Sequence, residues 1–188
     1  PWGDRLDAKR TANEEIFRTY GHNPNGLSSR DDNLDLKQFA KAIKAKDVAL
    51  LSIYEVNRNF ENTGVLNSFH RHLRGISSHH HAAVSSVKLG LDSPYQPGGT
   101  AVSVRNKWAT RFLSSGFDWL GRWSWITLTG RGTKKITFIS AYRVCDGPAV
   151  SSTTSGTFRA QQEWMYESTG TKHVNLREQF VTDLIVQI

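Results

Sequence analysis

The stretch VALLSIYEVN, residues 48–57, sets the fold class of this chain. Its first six residues are apolar except for Ser52, which is typical of a central strand that is covered on both faces. Upstream, four apolar residues follow the i, i+3, i+4, i+7 spacing of an amphipathic helix: Leu36, Phe39, Ala40 and Ile43. A short strand is predicted over residues 16–20. The order strand, helix, strand predicts an α/β architecture.

Further helices and strands are predicted downstream. Apolar spacing predicts three more helices: one that contains Val65 and Leu73, one near 158–166, and one that contains Leu176, Phe180 and Leu184. Alternating or continuous apolar runs predict strands over 100–104, 123–128 and 136–141, with a hairpin turn at 129–135. The histidine-rich segment 77–86 is predicted as a loop or an edge, and 151–156 as a linker.

Length and composition limit the class of protein. The 188 residues allow one domain with a real core, and the first fifteen form a polar segment. Lysine and arginine number 24 against 17 acidic residues, a formal net charge of +7. A single cysteine, Cys145, excludes an internal disulfide, and no apolar run approaches the roughly 18 residues of a membrane span. We expect an intracellular protein, nuclear or cytoplasmic, with no membrane partner.

Polar residues follow both of the first two predicted strands. The loop that contains Asn23 and Asn25 follows the first, and Glu55 follows the second. Functional sites of α/β sheets form at this carboxyl edge. A lone carboxylate beside an amide supplies oxygen ligands for a magnesium ion that otherwise holds water and substrate phosphate. An alternative stays open, in which Glu55 caps a strand end and Asn25 makes a turn.

Five short motifs, in order, carry a family resemblance: Asn23-Pro24-Asn25-Gly26-Leu27, Tyr54-Glu55, Gly98-Gly99-Thr100-Ala101-Val102, Gly121-Arg122-Trp123 and Ser140-Ala141-Tyr142-Arg143-Val144. With these motifs, the chain resembles the endonuclease/exonuclease/phosphatase superfamily over about residues 16–145. That superfamily includes deoxyribonuclease I, apurinic/apyrimidinic endonucleases and the endonuclease domains of non-LTR retrotransposons. The motifs of this chain resemble those of the retrotransposon domains most.

The resemblance implies a four-layer α/β/β/α sandwich and a role for each matched residue. Glu55 looks like the metal-binding glutamate, with Asn25 near the metal, which is Mg²⁺ or else Mn²⁺. Asn23 looks like the asparagine that orders the active-site network, and Tyr142 like the tyrosine beside the scissile phosphate. A strand-end tyrosine that packs on a helix is the alternative for Tyr142.

Two departures from the family pattern bear on activity. Tyr54 stands where the family has glutamine, and neither a Gly-Asp-x-Asn motif nor a closing Asp-His pair occurs in these 188 residues. The resemblance places the first of these motifs shortly beyond Ile188. The Asp-His pair activates the attacking water in the family. The resemblance therefore implies an incomplete domain, the N-terminal half to two thirds of the sandwich, that is itself inactive. The alternative is a noncatalytic nucleic-acid-binding module that keeps the fold.

The basic charge predicts a phosphate-rich partner. The resemblance implies that this partner is DNA rather than RNA. Several cations lie in or beside the strand region, and Arg105 and Arg122 are the candidates for contact with the DNA backbone. The tryptophans among them are predicted to fill the core, with stacking on exposed bases as the alternative: Trp108, Trp119, Trp123 and Trp125. The histidine groups at 70–72 and 79–81 and the thiol of Cys145 are predicted to have no metal or catalytic role.

Overall fold

A computed structural model of the chain describes residues 16–27, 34–88, 93–145, 156–172 and 174–187, with the side chains of 34–36 excepted. Two β-sheets and four α-helices make up this part of the chain. The predicted polar segment at the N-terminus and residues 151–155 of the predicted linker lie outside the described residues. No helix in the described part is long and apolar enough to cross a bilayer.

The first sheet has four strands: β1 (Thr19–His22), β2 (Leu50–Tyr54), β3 (His80–Ser85) and β4 (Thr100–Arg105). Their order is β1-β2-β4-β3, with β1 parallel to β2 and the other pairs antiparallel. The histidine-rich segment predicted as a loop or an edge therefore contains the edge strand β3. Strands β2 and β4 are central, and every residue of β4 is buried.

The second sheet is an antiparallel meander: β5 (Phe112–Phe117), β6 (Trp123–Thr129) and β7 (Lys135–Ala141). A 3-10 helix over Asn106–Arg111 connects β4 to β5. Strand β5 is absent from the predicted elements, whereas β6, β7 and the hairpin between them agree with the sequence pattern. Residues from β2, β3, β4 and β6 form one apolar cluster between the two sheets.

Four helices flank the sheets: α1 (Leu34–Ala45), α2 (Thr63–Ile76), α3 (Gly156–Thr169) and α4 (Leu176–Gln187). Residues of α1 and α2 pack with Leu51 and Ile53 of β2. Helix α4 contacts the start of β6, where the rings of Phe180 and Trp123 meet edge to face with 5.5 Å between their centroids. Helices α1 and α2 cover one face of the first sheet and the second sheet packs on its other face, so the predicted α/β fold is confirmed.

Candidate active site

One end of the sandwich gathers strand ends from both sheets. Tyr54 of β2 and Ser85 of β3 both pair with Thr100, where β4 begins. The Thr100 hydroxyl donates to the Ser124 hydroxyl at 3.3 Å, which joins this edge to the start of β6. Residues that follow β2 and β7 and those that precede β4 and β6 therefore meet at one place, which we call the site end.

The backbone of Glu55 is unusual at the site end. Its φ is +50°, in the left-handed region that a glutamate rarely occupies, at a cost of about 1–3 kcal/mol. Its carbonyl accepts from the Gly26 amide at 2.8 Å, and the next amide, of Val56, donates to the Gly99 carbonyl at 3.3 Å. The turn after β1 and the start of β4 thus hold Glu55 in this conformation.

Glycine is needed at positions 98 and 99 because neighbouring segments of the chain lie too close for a Cβ atom. Both glycines have positive φ, and a Cβ on Gly99 would lie 2.8 Å from the Ser85 carbonyl oxygen. The Gly98 amide donates to the side-chain oxygen of Asn57 at 2.7 Å, and the Asn57 amide donates back to the Gly98 carbonyl at 2.8 Å. Asn57 was missing from the predicted site; an asparagine two residues after the glutamate was the only signal for it.

Two predicted site residues, Asn23 and Tyr142, donate hydrogen bonds to the carboxylate of a third, Glu55. The Asn23 side-chain amide donates to Oε2 of Glu55 at 2.5 Å, and the Tyr142 hydroxyl donates to Oε1. The Asn23 side-chain oxygen accepts from the backbone amide of Asn25 at 2.9 Å, which closes the turn. Asn25 belongs to this network through its backbone. The Asn25 side chain makes no hydrogen bond to Glu55 in the described structure.

The surroundings of Tyr142 keep its hydroxyl protonated. Burial raises the pKa of Tyr142, and the hydrogen bond to the Glu55 carboxylate and its negative charge raise the pKa further. The hydroxyl is therefore a neutral hydrogen-bond donor over the physiological pH range, and not a nucleophile. The backbone amide of Tyr142 donates to the Arg122 carbonyl at 2.7 Å, which fixes Tyr142 at the end of β7.

The donor set suits a hard cation that keeps most of its water. An ionised carboxylate offers about four lone pairs, and the hydrogen bonds from Asn23 and Tyr142 use two of those on Glu55. Within the described residues, no group of three or more His, Cys, Asp or Glu side chains is placed to hold a metal. A metal with one carboxylate, water and substrate phosphate as ligands is typical of Mg²⁺. The residues present fit that ion.

Arg105 and Arg122, predicted to contact DNA, lie inside the fold, and this prediction is corrected. Arg122 is 3% exposed, and its guanidinium pairs with both oxygens of Asp118 at 2.8 and 2.9 Å and with Asp183 at 2.8 Å. Arg105 is 4% exposed and donates to the carbonyls of Val48 and Ile43. Both guanidiniums are used within the protein and are not available to a phosphate backbone.

Tyr54, which stands where the motif comparison expects glutamine, packs against β1. A Cβ placed on Gly21 of β1 would lie 3.2 Å from the Tyr54 hydroxyl, so the Tyr54 ring covers that glycine. The substitution leaves the hydrogen bonds of Glu55 to Asn23 and Tyr142 in place. Tyr54 therefore changes the neighbourhood of the site and not the carboxylate contacts themselves.

Comparisons with known proteins found similarity among solved structures. No family model matches the chain, and no curated protein matches it. Among solved structures, the chain is similar to an endonuclease/exonuclease/phosphatase family protein from Leptotrichia buccalis C-1013-b, at 15% sequence identity and a TM-score of 0.47. The match covers 85% of this chain, which spans 65% of the length of that one.

Proposed function

We propose that the chain derives from a metal-dependent phosphodiester hydrolase of the endonuclease/exonuclease/phosphatase superfamily, and that its parent is a DNA endonuclease of retroelement type. The observation that carries this proposal is the Glu55 carboxylate, held by Asn23 and Tyr142 at the site end. The left-handed backbone of Glu55 adds support, because strain at a polar residue is characteristic of functional sites.

Glu55 is the residue that would hold Mg²⁺ or Mn²⁺, with Asn25 beside it. When bound, such an ion polarises the phosphoryl oxygen and stabilises the leaving oxygen. The carboxylate needs a fixed direction for this role, and the hydrogen bonds from Asn23 and Tyr142 give it one on each oxygen.

Asn23 and Tyr142 are proposed to orient and stabilise the phosphate. The Tyr142 hydroxyl gives its single proton to Glu55 in this structure, so it would stabilise a phosphoryl oxyanion by exchanging that hydrogen bond for one to the phosphate. Because Arg105 and Arg122 are buried, exposed cations at the site end are the better candidates for the DNA backbone. Lys88 follows β3 and Arg143 follows Tyr142, and both are exposed.

The residues that activate the attacking water are proposed to lie outside these 188 residues. In the described part of the chain, the Glu55 carboxylate accepts hydrogen bonds from Asn23 and Tyr142, neither of which is a general base at neutral pH. We therefore propose that this chain alone does not hydrolyse DNA, whereas a longer product of the same gene, with an Asp-His pair downstream, does.

Nicking of supercoiled plasmid in Mg²⁺ tests this function. The longer protein is expected to nick, and Glu55→Ala is expected to reduce the rate by at least about 10²-fold, the scale of losing one electrostatic group. Glu167→Ala, which removes an exposed glutamate of α3, is the matched control and is expected to leave the rate unchanged. Equal rates for Glu55→Ala and Glu167→Ala would refute the proposal.

The second candidate is a noncatalytic nucleic-acid-binding module. The observation that favours it is Tyr54 in place of the usual glutamine, with its ring turned to Gly21. This candidate predicts salt-dependent binding of DNA by both the 188-residue chain and the longer protein, without nicking by either.

A further inference from the structure

An exposed aromatic pair lies at the site end, outside the carboxylate network. Phe117 ends β5 and is 46% exposed, and Trp119 follows it in the turn to β6 and is 49% exposed. Their ring centroids are 4.8 Å apart with an edge-to-face angle of 80°. We call these two residues, together with Lys88, the aromatic patch. Exposed aromatic rings that lie side by side offer a surface on which a nucleic-acid base can stack.

The backbone beneath the aromatic patch is held rigidly. The Asp118 carboxylate accepts hydrogen bonds from the amides of Leu120 at 3.1 Å and Arg122 at 3.2 Å, and pairs with the Arg122 guanidinium. The Lys88 amide donates to the Trp119 carbonyl at 3.0 Å, which joins the turn to the residue after β3. The rings are therefore presented by an ordered turn, which lowers the entropy lost on binding.

A positive charge accompanies the rings. The Lys88 ammonium lies 4.7 Å from the Trp119 ring centroid, which is a cation–π contact. An aromatic surface beside a lysine is the combination that proteins use for single-stranded nucleic acid, in which bases stack on rings and phosphates meet the cation.

The aromatic patch and the carboxylate network share one edge of the fold. The same turn that carries Trp119 supplies the Arg122 carbonyl that accepts the Tyr142 amide at 2.7 Å. The Val87–Leu120 bridge joins that turn to the end of β3, whose Ser85 pairs with Thr100 beside β2. A strand that contacts Glu55 and Tyr142 can therefore continue onto this edge.

We propose that Phe117 and Trp119 form a stacking subsite for an unpaired base of the nucleic acid whose phosphate lies at Glu55, with Lys88 contacting the adjacent backbone. This subsite deepens the proposed function and rests on it, because it names a substrate with at least one unstacked base. It also assigns the tryptophan of this turn to binding and not to the core.

Fluorescence anisotropy on the 188-residue protein in metal-free buffer, where hydrolysis is absent, tests the subsite. The probes are a labelled twelve-nucleotide oligothymidylate and an abasic strand of the same length. Trp119→Ala is expected to weaken oligothymidylate binding about 5-fold to 100-fold, the range for loss of one stacked base, and to leave abasic-strand binding unchanged. Trp119→Phe is expected to restore most of the affinity.

Tyr166→Ala is the matched control, because Tyr166 on α3 is also exposed and also has a lysine, Lys172, 5.6 Å from its ring. It is expected to bind both strands as the wild type does. Equal loss on both strands in Trp119→Ala, or equal affinity of the Trp119→Ala and Tyr166→Ala proteins, would overturn the subsite. So would Trp119-dependent binding to phosphatidylserine vesicles without any effect on oligothymidylate. Since this assay needs no catalysis, a failed nicking experiment and a failed stacking experiment are read separately.

Discussion

The two ends of the first sheet both contain left-handed residues, but they use them differently. At the end opposite the site, which we call the far end, Asp47 and Asn106 have φ values of +47° and +57°, and the Asn106 side chain donates to Asp47 at 2.9 Å. Aspartate and asparagine tolerate this conformation well. At the site end a glutamate, Glu55, takes it, and two donors converge on its carboxylate.

The comparison separates turn chemistry from a functional arrangement. At the far end the polar groups satisfy one another and the backbone: Arg105, for example, donates to the carbonyls of Val48 and Ile43. At the site end the hydrogen bonds hold a carboxylate that still has free lone pairs and is not fully buried. The left-handed backbone of Glu55 therefore presents a carboxylate that keeps free lone pairs, whereas the left-handed residues of the far end bond to each other.

The largest expected effect is a loss of stability, and it differs between variants of the two buried arginines. Arg122→Met is expected to lower the free energy of unfolding by about 3–5 kcal/mol, because it leaves Asp118 and Asp183 without their cation. Arg105→Met, at the far end, removes hydrogen bonds to two neutral carbonyls and an attraction to the Asp47 carboxylate, and is expected to cost about 1–3 kcal/mol. Urea denaturation measures both. A smaller loss for Arg122→Met than for Arg105→Met would contradict this account of the burial.

A smaller effect compares the left-handed residues themselves. Asn106→Ala is expected to cost about 1–2 kcal/mol of unfolding free energy, because alanine tolerates the conformation poorly and cannot bond to Asp47. Glu55→Gly is expected to change it by less than about 1 kcal/mol, since glycine relieves the strain while hydrogen bonds are lost. Urea denaturation of both variants checks this. Equal losses would mean that Glu55 is a structural turn residue.

The smallest expected effect is a pH dependence from Tyr142. Burial and the Glu55 carboxylate raise the pKa of Tyr142 in the folded protein, so above about pH 10 the hydroxyl ionises in the unfolded chain first. Its contribution to stability is constant below pH 10 and is lost as the pH rises further. Tyr142→Phe is expected to lose less unfolding free energy than the wild type between pH 9 and pH 11. Parallel curves of unfolding free energy against pH for the wild type and Tyr142→Phe would show that the Tyr142 hydroxyl and the Glu55 carboxylate do not interact.

Most of the fold followed from periodicity, and the exceptions have physical reasons. Strand β5 was missed because Ser114, Ser115 and Gly116 give its middle no apolar alternation. A Cβ on Gly116 would lie 2.6 Å from the Trp125 ring, so this glycine is needed for packing against β6. In β3 the buried residues are only Ala83 and Ser85, which is enough for an edge strand but too little for a sequence signal.

The candidate site shows what sequence order leaves open. Strand ends predicted that Asn23 and Glu55 lie at one edge, but Tyr142 is 87 positions from Glu55 and was included through the family resemblance alone. The burial of Arg122 could not be predicted from the sequence, because it depends on Asp183. Asp183 lies in a helix whose position no local pattern fixes. Charge counts cannot tell a buried cation from an exposed one.

The most direct test of the account is where a divalent ion binds on the 188-residue protein. Amide NMR spectra recorded with substoichiometric Mn²⁺ report this, because signals near the paramagnetic ion broaden first. We predict broadening at Gly26, Glu55 and Tyr142, with sharp signals at the far end near Asn106, and loss of the effect in Glu55→Gln. Broadening centred on the far end, or unchanged in Glu55→Gln, would contradict the claim that Glu55 is a metal-binding carboxylate.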